Sequence, residues 1–272
     1  MGQELTAPLR VVFLSSGGIL GDAVLERILG CGKFEVVGVV RSRRVMIRGA
    51  GFLRGALAYF ARCGIPYTVY IWAITTLAEF LGMATGTGSI TARARRSRIP
   101  ILHSQDINSP AGLAFIRALQ PDLLVSAHFD QKIFPPLCDR PGLAAINIHP
   151  SPLPLFRGLE PVLHAMLENE TTLGVTVHRL AESIDAGAVV DSKEIPTDPR
   201  DSVLRSMRRL MVFGAELLLN CPPAALGFGN GRPQCGPESY RSWPTARQVR
   251  RLYFSGKQLL KIHDLPLFWR SA

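Results

Sequence analysis

The sequence carries no Cys-x-x-Cys pair, and its five cysteines (Cys31, Cys63, Cys138, Cys221, Cys235) are odd in number and scattered. Neither a zinc site nor a disulfide framework is expected, and free thiols suit a reducing cytosol. Charged residues are sparse at 19% against 47% hydrophobic, which excludes a disordered chain, collagen and coiled coil. The opening MGQELTAPLRVVFLSS lacks the basic start and long apolar stretch of a signal peptide. Acidic residues are almost missing from one segment: residues 41–98 hold ten arginines against Glu79 alone, a net +9. The second basic segment is 221–272, at +6, while residues 1–40 and 99–220 carry −1 and −4. A chain of net charge +10 invites a nucleic-acid reading, but the excess is confined to two segments.

What is present begins with a short β-branched run, LRVVFLS (9–15), then Ser15-Ser16-Gly17-Gly18. Leu20, Val24, Leu25, Ile28 and Leu29 follow at helical spacing, and FEVVGVV (34–40) predicts a second buried strand. Strand, glycine turn, helix and strand make the βαβ opening of a parallel sheet. The pattern resumes with IPIL (99–102), a helix from Ser109 to Leu119, DLLVSA (122–127) and LAAINIH (143–149). Strands this apolar belong in an α/β sheet with helices on both faces. GVTVHRL (174–180) and AVVDSKEI (188–195) alternate as strands with a wetter face, and a helix runs from about Ser202 to Leu219. The division expected is a catalytic domain over 1–220, interrupted by a helical insert at 45–88, and a short basic extension over 221–272 with one helix near 245–261. The insert contains CGIPYTVYIWAITTLA (63–78), sixteen residues without formal charge. That is short of the ~20 needed for a span, so it packs on the domain or lies on an anionic membrane surface.

Chemistry concentrates at Asn147-Ile148-His149-Pro150-Ser151-Pro152-Leu153-Pro154, followed by Arg157-Gly158. Positions 147 and 149 share one face of a strand, at the carboxyl end where open α/β sheets place ligands. Prolines stiffen the loop beyond. Downstream, Ser183-Ile184-Asp185-Ala186-Gly187 puts a carboxylate in a turn between strands. An amide and a protonated imidazole can donate to an oxyanion, while the carboxylate organises the proton leaving a nucleophile. An Asn-x-His pair on a strand is, on its own, more often hydrogen-bonded structure than a catalytic pair.

These segments resemble the 10-formyltetrahydrofolate-dependent formyltransferase family. Its pattern of Asn-x-His, a Leu-Pro loop with a Gly four residues on, and an Asp-x-Gly turn falls here on Asn147, His149, Leu153, Pro154, Gly158 and Asp185. Pro152 stands where the family has Leu, and Gly174-Val175-Thr176-Val177-His178 looks like the family strand leading to the aspartate. The resemblance implies a Rossmann-like, mostly parallel open sheet and a catalytic trio of Asn147, His149 and Asp185. It also implies 10-formyltetrahydrofolate as cosubstrate, no metal, and a pterin lying against His128, Phe129, Gln131, Ile133, Leu180 and Ile184. His128 is either a pterin contact or a structural histidine. Candidate acceptor contacts are Ser16, Gly17, Ser151 and Arg157. The Ser16-Gly17 turn either holds a phosphate or merely joins strand to helix.

The acceptor implied is a primary amine of a small metabolite, chosen by elimination as an amino sugar nucleotide. Methionyl-tRNA formyltransferases share Gly158…Pro161 and a basic insertion, but they carry a C-terminal OB-type domain of roughly a hundred residues. Only 52 residues follow position 220 here, so that domain is not expected. Charged initiator tRNA is the alternative acceptor. A basic RNA- or membrane-binding protein on an inactive fold is a further reading. The location expected is cytoplasmic, with peripheral membrane contact through 63–78 and homo-oligomerisation both open.

Overall fold

Leu9–Ser15 (β1) alternates its side chains between two faces and both are covered: Val11 and Phe13 enter one core, Val12 and Leu14 another. The computed structural model describes residues 7–43, 52–85, 89–134, 142–227 and 231–269. Gly18–Leu29 (α1) leads to Phe34–Ser42 (β2), which pairs parallel with β1. Ile101–Ser104 (β3), Pro110–Leu119 (α5, behind the insert helices described below), Leu123–Ala127 (β4) and Ala144–His149 (β5) continue the winding. The N-cap of α5 is Ser109, whose hydroxyl accepts from Gly112 N–H, with Pro110 opening the helix. After Arg157–Gly158 (β6) and Pro161–Leu167 (α6), Thr172–Arg179 (β7) and Val189–Pro196 (β8) complete a seven-stranded sheet in the order β3-β2-β1-β4-β5-β7-β8. Pairing is parallel from β3 through β5 and antiparallel beyond. Val203–Asn220 (α7) packs with α1 over the larger core, and α5 covers the other face. The expected Rossmann-like sheet with helices on both faces is therefore present. β3 starts two residues later than IPIL suggested, because Pro100 uses its carbonyl to accept from Val39.

The insert is helical. It comprises Phe52–Trp72 (α2), a π-helical turn Ala73–Leu77, Ala78–Thr85 (α3) and Ile90–Arg96 (α4); residues 45–51 and 86–88 lie outside the described residues. Gly64 breaks α2 with φ 80 and ψ 171 just before Pro66. Tyr59, Cys63, Tyr67, Tyr70, Ile74 and Ala78 form the buried face, at the three-to-four-residue spacing of a helix stripe. Of Tyr70, Ile71 and Trp72 only the last is exposed. Polar contacts fix the insert to α1: Arg93 forks onto Asp22 at 2.6 Å and Glu26 at 2.8 Å. Buried Glu79 accepts from Ser89 Oγ, Thr91 N–H and Gly18 N–H. Burial pushes the Glu79 carboxyl up, but Arg41 and these donors outweigh it and hold it below its ordinary value.

The C-terminal segment is woven into the domain. After Pro223–Leu226 (α8), Tyr240–Arg241 (β9) pairs parallel with β6. Ala246–Phe254 (α9) carries a full Thr245/Gln248 capping box. That helix stops well short of residue 261, at a turn where Gly256 takes φ 76, and a 3-10 helix follows over Ile262–Phe268.

Gly18, at φ 69, opens α1 hard against the insert: a Cβ there meets Ile74 O at 2.0 Å. Gly18→Ala is expected to lose on the order of 3 kcal/mol in urea unfolding, from left-handed strain plus overpacking. Gly32→Ala, with open space around it, serves as the control and is expected to change stability by about 0.5 kcal/mol or less. Equal stability of the two variants would mean that the insert can draw away from α1.

Candidate active site

The site forms where β4 and β5 end, beside the point at which strand order reverses across β1. Asn147 and His149 project from the same face of β5, as their spacing requires. Antiparallel register sets His178 of β7 directly opposite Asn147, and the side chains meet at 3.2 Å, Asn147 Nδ2 to His178 Nε2. Asp185, in the β7–β8 turn, adopts φ 53, a left-handed conformation that Asp tolerates better than most residues. It receives Gly158 N–H at 2.9 Å on Oδ2 and Asn147 Nδ2 at 3.4 Å on Oδ1. His149 Nδ1 stands 3.6 Å from Oδ2, and His178 Nε2 3.5 Å from Oδ1. Gly158, at φ 96, is required as glycine because a Cβ there meets Arg241 O at 2.2 Å.

Electrostatics separate the roles. Burial pushes the Asp185 carboxyl up, but His149, His178 and Gly158 N–H together hold it far below the ordinary carboxylate range. Burial is the largest influence on His149 and lowers its pKa, with Asp185 pulling the other way. His149 Nε2–H donates to Phe156 O at 3.0 Å, and its Nδ1 faces Asp185. Nε2 is thus anchored to backbone, while Nδ1, 3.6 Å from Asp185 Oδ2, faces the carboxylate beyond hydrogen-bond distance. The contacts of 3.4–3.6 Å around the carboxylate are longer than full hydrogen bonds, so a ligand oxygen competes readily for Asn147 Nδ2.

A cavity of about 1070 Å³ opens over the trio. His128, Phe129, Gln131, Ile133, Leu180 and Ile184 all lie along its wall, as does Ser16. His128, at φ 49, has a buried Nδ1 without a hydrogen-bond partner among the described residues, and burial pushes its pKa down to about 4. Gln131 is a correction, since its amide is committed to Ile107 N–H, Ser42 Oγ and Ser104 O. The phosphate reading of the first turn also falls. Ser16 N–H donates to His128 O, Gly17 N–H to Ser15 Oγ and Gly18 N–H to Glu79, while Arg41 covers Gly17. Ser151, 2% exposed, donates to Leu155 O and shapes the loop. Arg157 is engaged by Gln234 and Glu238 and does not face the cavity.

Three contributions escaped the sequence reading. His178 stands beside the trio, signalled only as a polar residue ending an apolar strand. Gln234 donates from the C-terminal segment to Asp185 O and Gly187 O, both at 2.8 Å, and Tyr240 and Trp243 join the cavity wall. Glu160, at φ 53, precedes α6 on that wall; it is 8% exposed, and its Oε2 has no hydrogen-bond partner among the described residues. The buried hydroxyl of Tyr70 likewise lacks one, while that of Tyr67 faces Glu160 and partly offsets its burial. Among the described residues no cluster of three His, Cys, Asp or Glu is placed to bind a metal ion.

Burial pushes the Glu160 carboxyl up to about 7 from 4.5. Between those values the unfolded chain has released a proton that the fold keeps, so stability falls as pH rises through this window and then levels off. The total is about 3 kcal/mol, at 1.36 kcal/mol per unit. Glu160→Gln is therefore expected to gain stability over the wild type as pH rises from 4.5 to 8 in paired urea melts. Parallel pH profiles for the two proteins would mean that Glu160 ionises freely in the fold.

Residues 89–221 match the formyl transferase family model. The methionyl-tRNA formyltransferase of Lysinibacillus sphaericus (strain C3-41) is 33% identical over 143 residues, 53% of this chain and 46% of that protein. The protein of the same name from Roseiflexus sp. (strain RS-1) is 29% identical over 228 residues, 84% of this chain and 60% of that protein. The chain thus spans about half the length of the curated relatives it matches. In fold it is similar to a sugar 3N-formyl transferase solved in the presence of dTDP and 5-N-formyl-THF, with TM-score 0.58, 18% identity and coverage of 94% and 83% of the two chains. Glycinamide ribonucleotide transformylase 1 from Symbiobacterium toebii superimposes with TM-score 0.54 at 21% identity, covering 81% and 90%. The motif residues gather at one cavity, the fold is shared with these structures, and residues 89–221, from α4 to the end of α7, match the formyl transferase family model.

Proposed function

We propose that the protein transfers the formyl group of 10-formyltetrahydrofolate to the primary amine of a small metabolite, with amino sugar nucleotides as the acceptor class. The observation that carries this reading is the Asn147–His149–Asp185 constellation at the wall of a cavity large enough for a folate head and a second ligand together. The neutral amine attacks the formyl carbon, a C–N bond forms, and the carbonyl oxygen takes up negative charge. Asn147 Nδ2 turns from Asp185 to that oxygen. Asp185, ionised and oriented by His149, receives the amine proton directly or through a water molecule. Collapse of the intermediate breaks the bond to N10 of the folate, and the proton passes to that nitrogen. His128, Phe129, Ile133, Leu180 and Ile184 supply a mixed apolar and polar wall for the pterin. Arg41, Arg43 and Lys132 also line the cavity and suit the diphosphate of a nucleotide sugar. Trp72 and Tyr240 offer flat surfaces for its base.

Charged initiator tRNA is the second reading, favoured by the methionyl-tRNA formyltransferases among the sequence relatives and by the +9 segment. Incubation with 10-formyltetrahydrofolate and a panel of UDP- and dTDP-amino sugars, glycinamide ribonucleotide and methionyl-tRNA decides between them. Transfer to an amino sugar nucleotide is expected; transfer to methionyl-tRNA alone moves the assignment to the second reading. Asn147→Ala is expected to lower kcat by about 10²–10³. Asp185→Asn is expected to abolish turnover with unchanged folate binding, and near-normal turnover would remove Asp185 from the proton path.

A further inference from the structure

The insert buries one helical face on the domain and presents another, also apolar, to solvent. From Gly64 onward the outward positions are Ile65, Val69, Trp72, Thr76, Phe80 and Met83, three or four residues apart. Ile65 is 61% exposed, Phe80 63% and Met83 44%. Before the Gly64 break, Leu53, Leu57 and Phe60 are exposed in the same rhythm. Val69, Trp72 and Thr76 also line the cavity, so the apolar stripe runs to its mouth. A contiguous apolar surface of this kind on a folded domain marks a contact site.

Charge identifies the occupant. Glu79, the single acid among residues 41–98, is 2% exposed and turned inward onto Ser89 and Thr91. The outward charge of the segment is therefore wholly positive, with Arg54 exposed at one end and Arg95 and Arg98 at the other. A second copy brings like charge against like charge, and RNA has no use for the apolar stripe. One 18-residue window within Leu53–Arg96 is apolar enough to cross a bilayer by length and composition. The break at Gly64 and the face buried on the domain set the segment along a surface instead.

We infer that the outer face of the insert docks on an anionic lipid bilayer, its apolar stripe entering the headgroup boundary and its arginines meeting lipid phosphates. The cavity mouth then lies against the membrane, and the acceptor is an amine presented at that surface. Only this last clause rests on the formyl-transfer reading. Docking itself is measured on the full chain without folate or acceptor. In sedimentation with vesicles of equal phosphatidylglycerol and phosphatidylcholine, binding is expected, falling at 0.5 M NaCl and on omission of phosphatidylglycerol. Combining Ile65→Ser, Phe80→Ser and Met83→Ser, at positions outside the cavity wall, is expected to weaken binding at least tenfold with unchanged melting. Brominated lipid is expected to quench a fluorescence component that Trp72→Phe removes. Absence of vesicle binding, unchanged binding in the triple variant, or no bromine-sensitive component from Trp72 overturns the inference. A dimer that the triple variant dissociates assigns the face to a second copy instead.

Discussion

Asp185 is an ionised, mostly buried carboxylate at the end of an exposed turn, and the surrounding chain is arranged to keep it so. Gly158 N–H, the Asn147 amide and two imidazoles face its oxygens, while Gln234 ties down its own carbonyl. Desolvating a carboxylate is costly unless its oxygens are met, and here the groups that face them arrive from three separate places, β5, β6 and β7, while the C-terminal segment holds the backbone of the turn. His128, Phe156, Glu160 and Asp185, all close to the site, adopt left-handed backbone angles without being glycine. Such conformations persist only where the surroundings over-determine them. The strain is local, and the packing of the sheet and C-terminal segment offsets it.

The parts of this arrangement legible in the sequence are those that depend on local period. β1, β2, β4 and β5 declare themselves as apolar β-branched runs, and Asn147 and His149 share a face because a strand repeats every two residues. His178 was hidden because its proximity to Asn147 depends on register between β5 and β7, which no single strand encodes. β6 and β9 are two residues each, too short to carry any period. Gln131 and Arg157 illustrate the reverse error. Both are polar residues in the right loops, yet in the fold they meet protein partners, Ser42 and Ser104 for one and Gln234 for the other.

The two basic segments, alike in composition, serve different ends. In the C-terminal segment the cations act as internal fasteners. Arg251 and Lys257 donate to Leu167 O and Met166 O at the end of α6, where the helix dipole and unsatisfied carbonyls favour positive charge. Arg241 pairs with Glu168 at 2.7 Å, and Lys261 donates to Arg200 O at 2.6 Å. The insert uses its one acid and Arg93 to hold itself to α1 and leaves other arginines facing outward. Net charge alone therefore does not distinguish a binding surface from a set of structural clamps.

The parallel pairing of β6 with β9 has a consequence for how the molecule comes into being. Parallel neighbours need a long excursion between them, and this one spans nearly the whole second half of the domain before returning to Gly158 at Arg241. During synthesis the sheet is complete once β8 has emerged, yet the loop bearing Gly158 and the turn bearing Asp185 still lack Ser239, Gln234 and their neighbours. The nascent chain passes through a stage in which the scaffold exists and the reactive geometry does not. Competence for chemistry thus waits for residues 234–241, which emerge well after the sheet is complete.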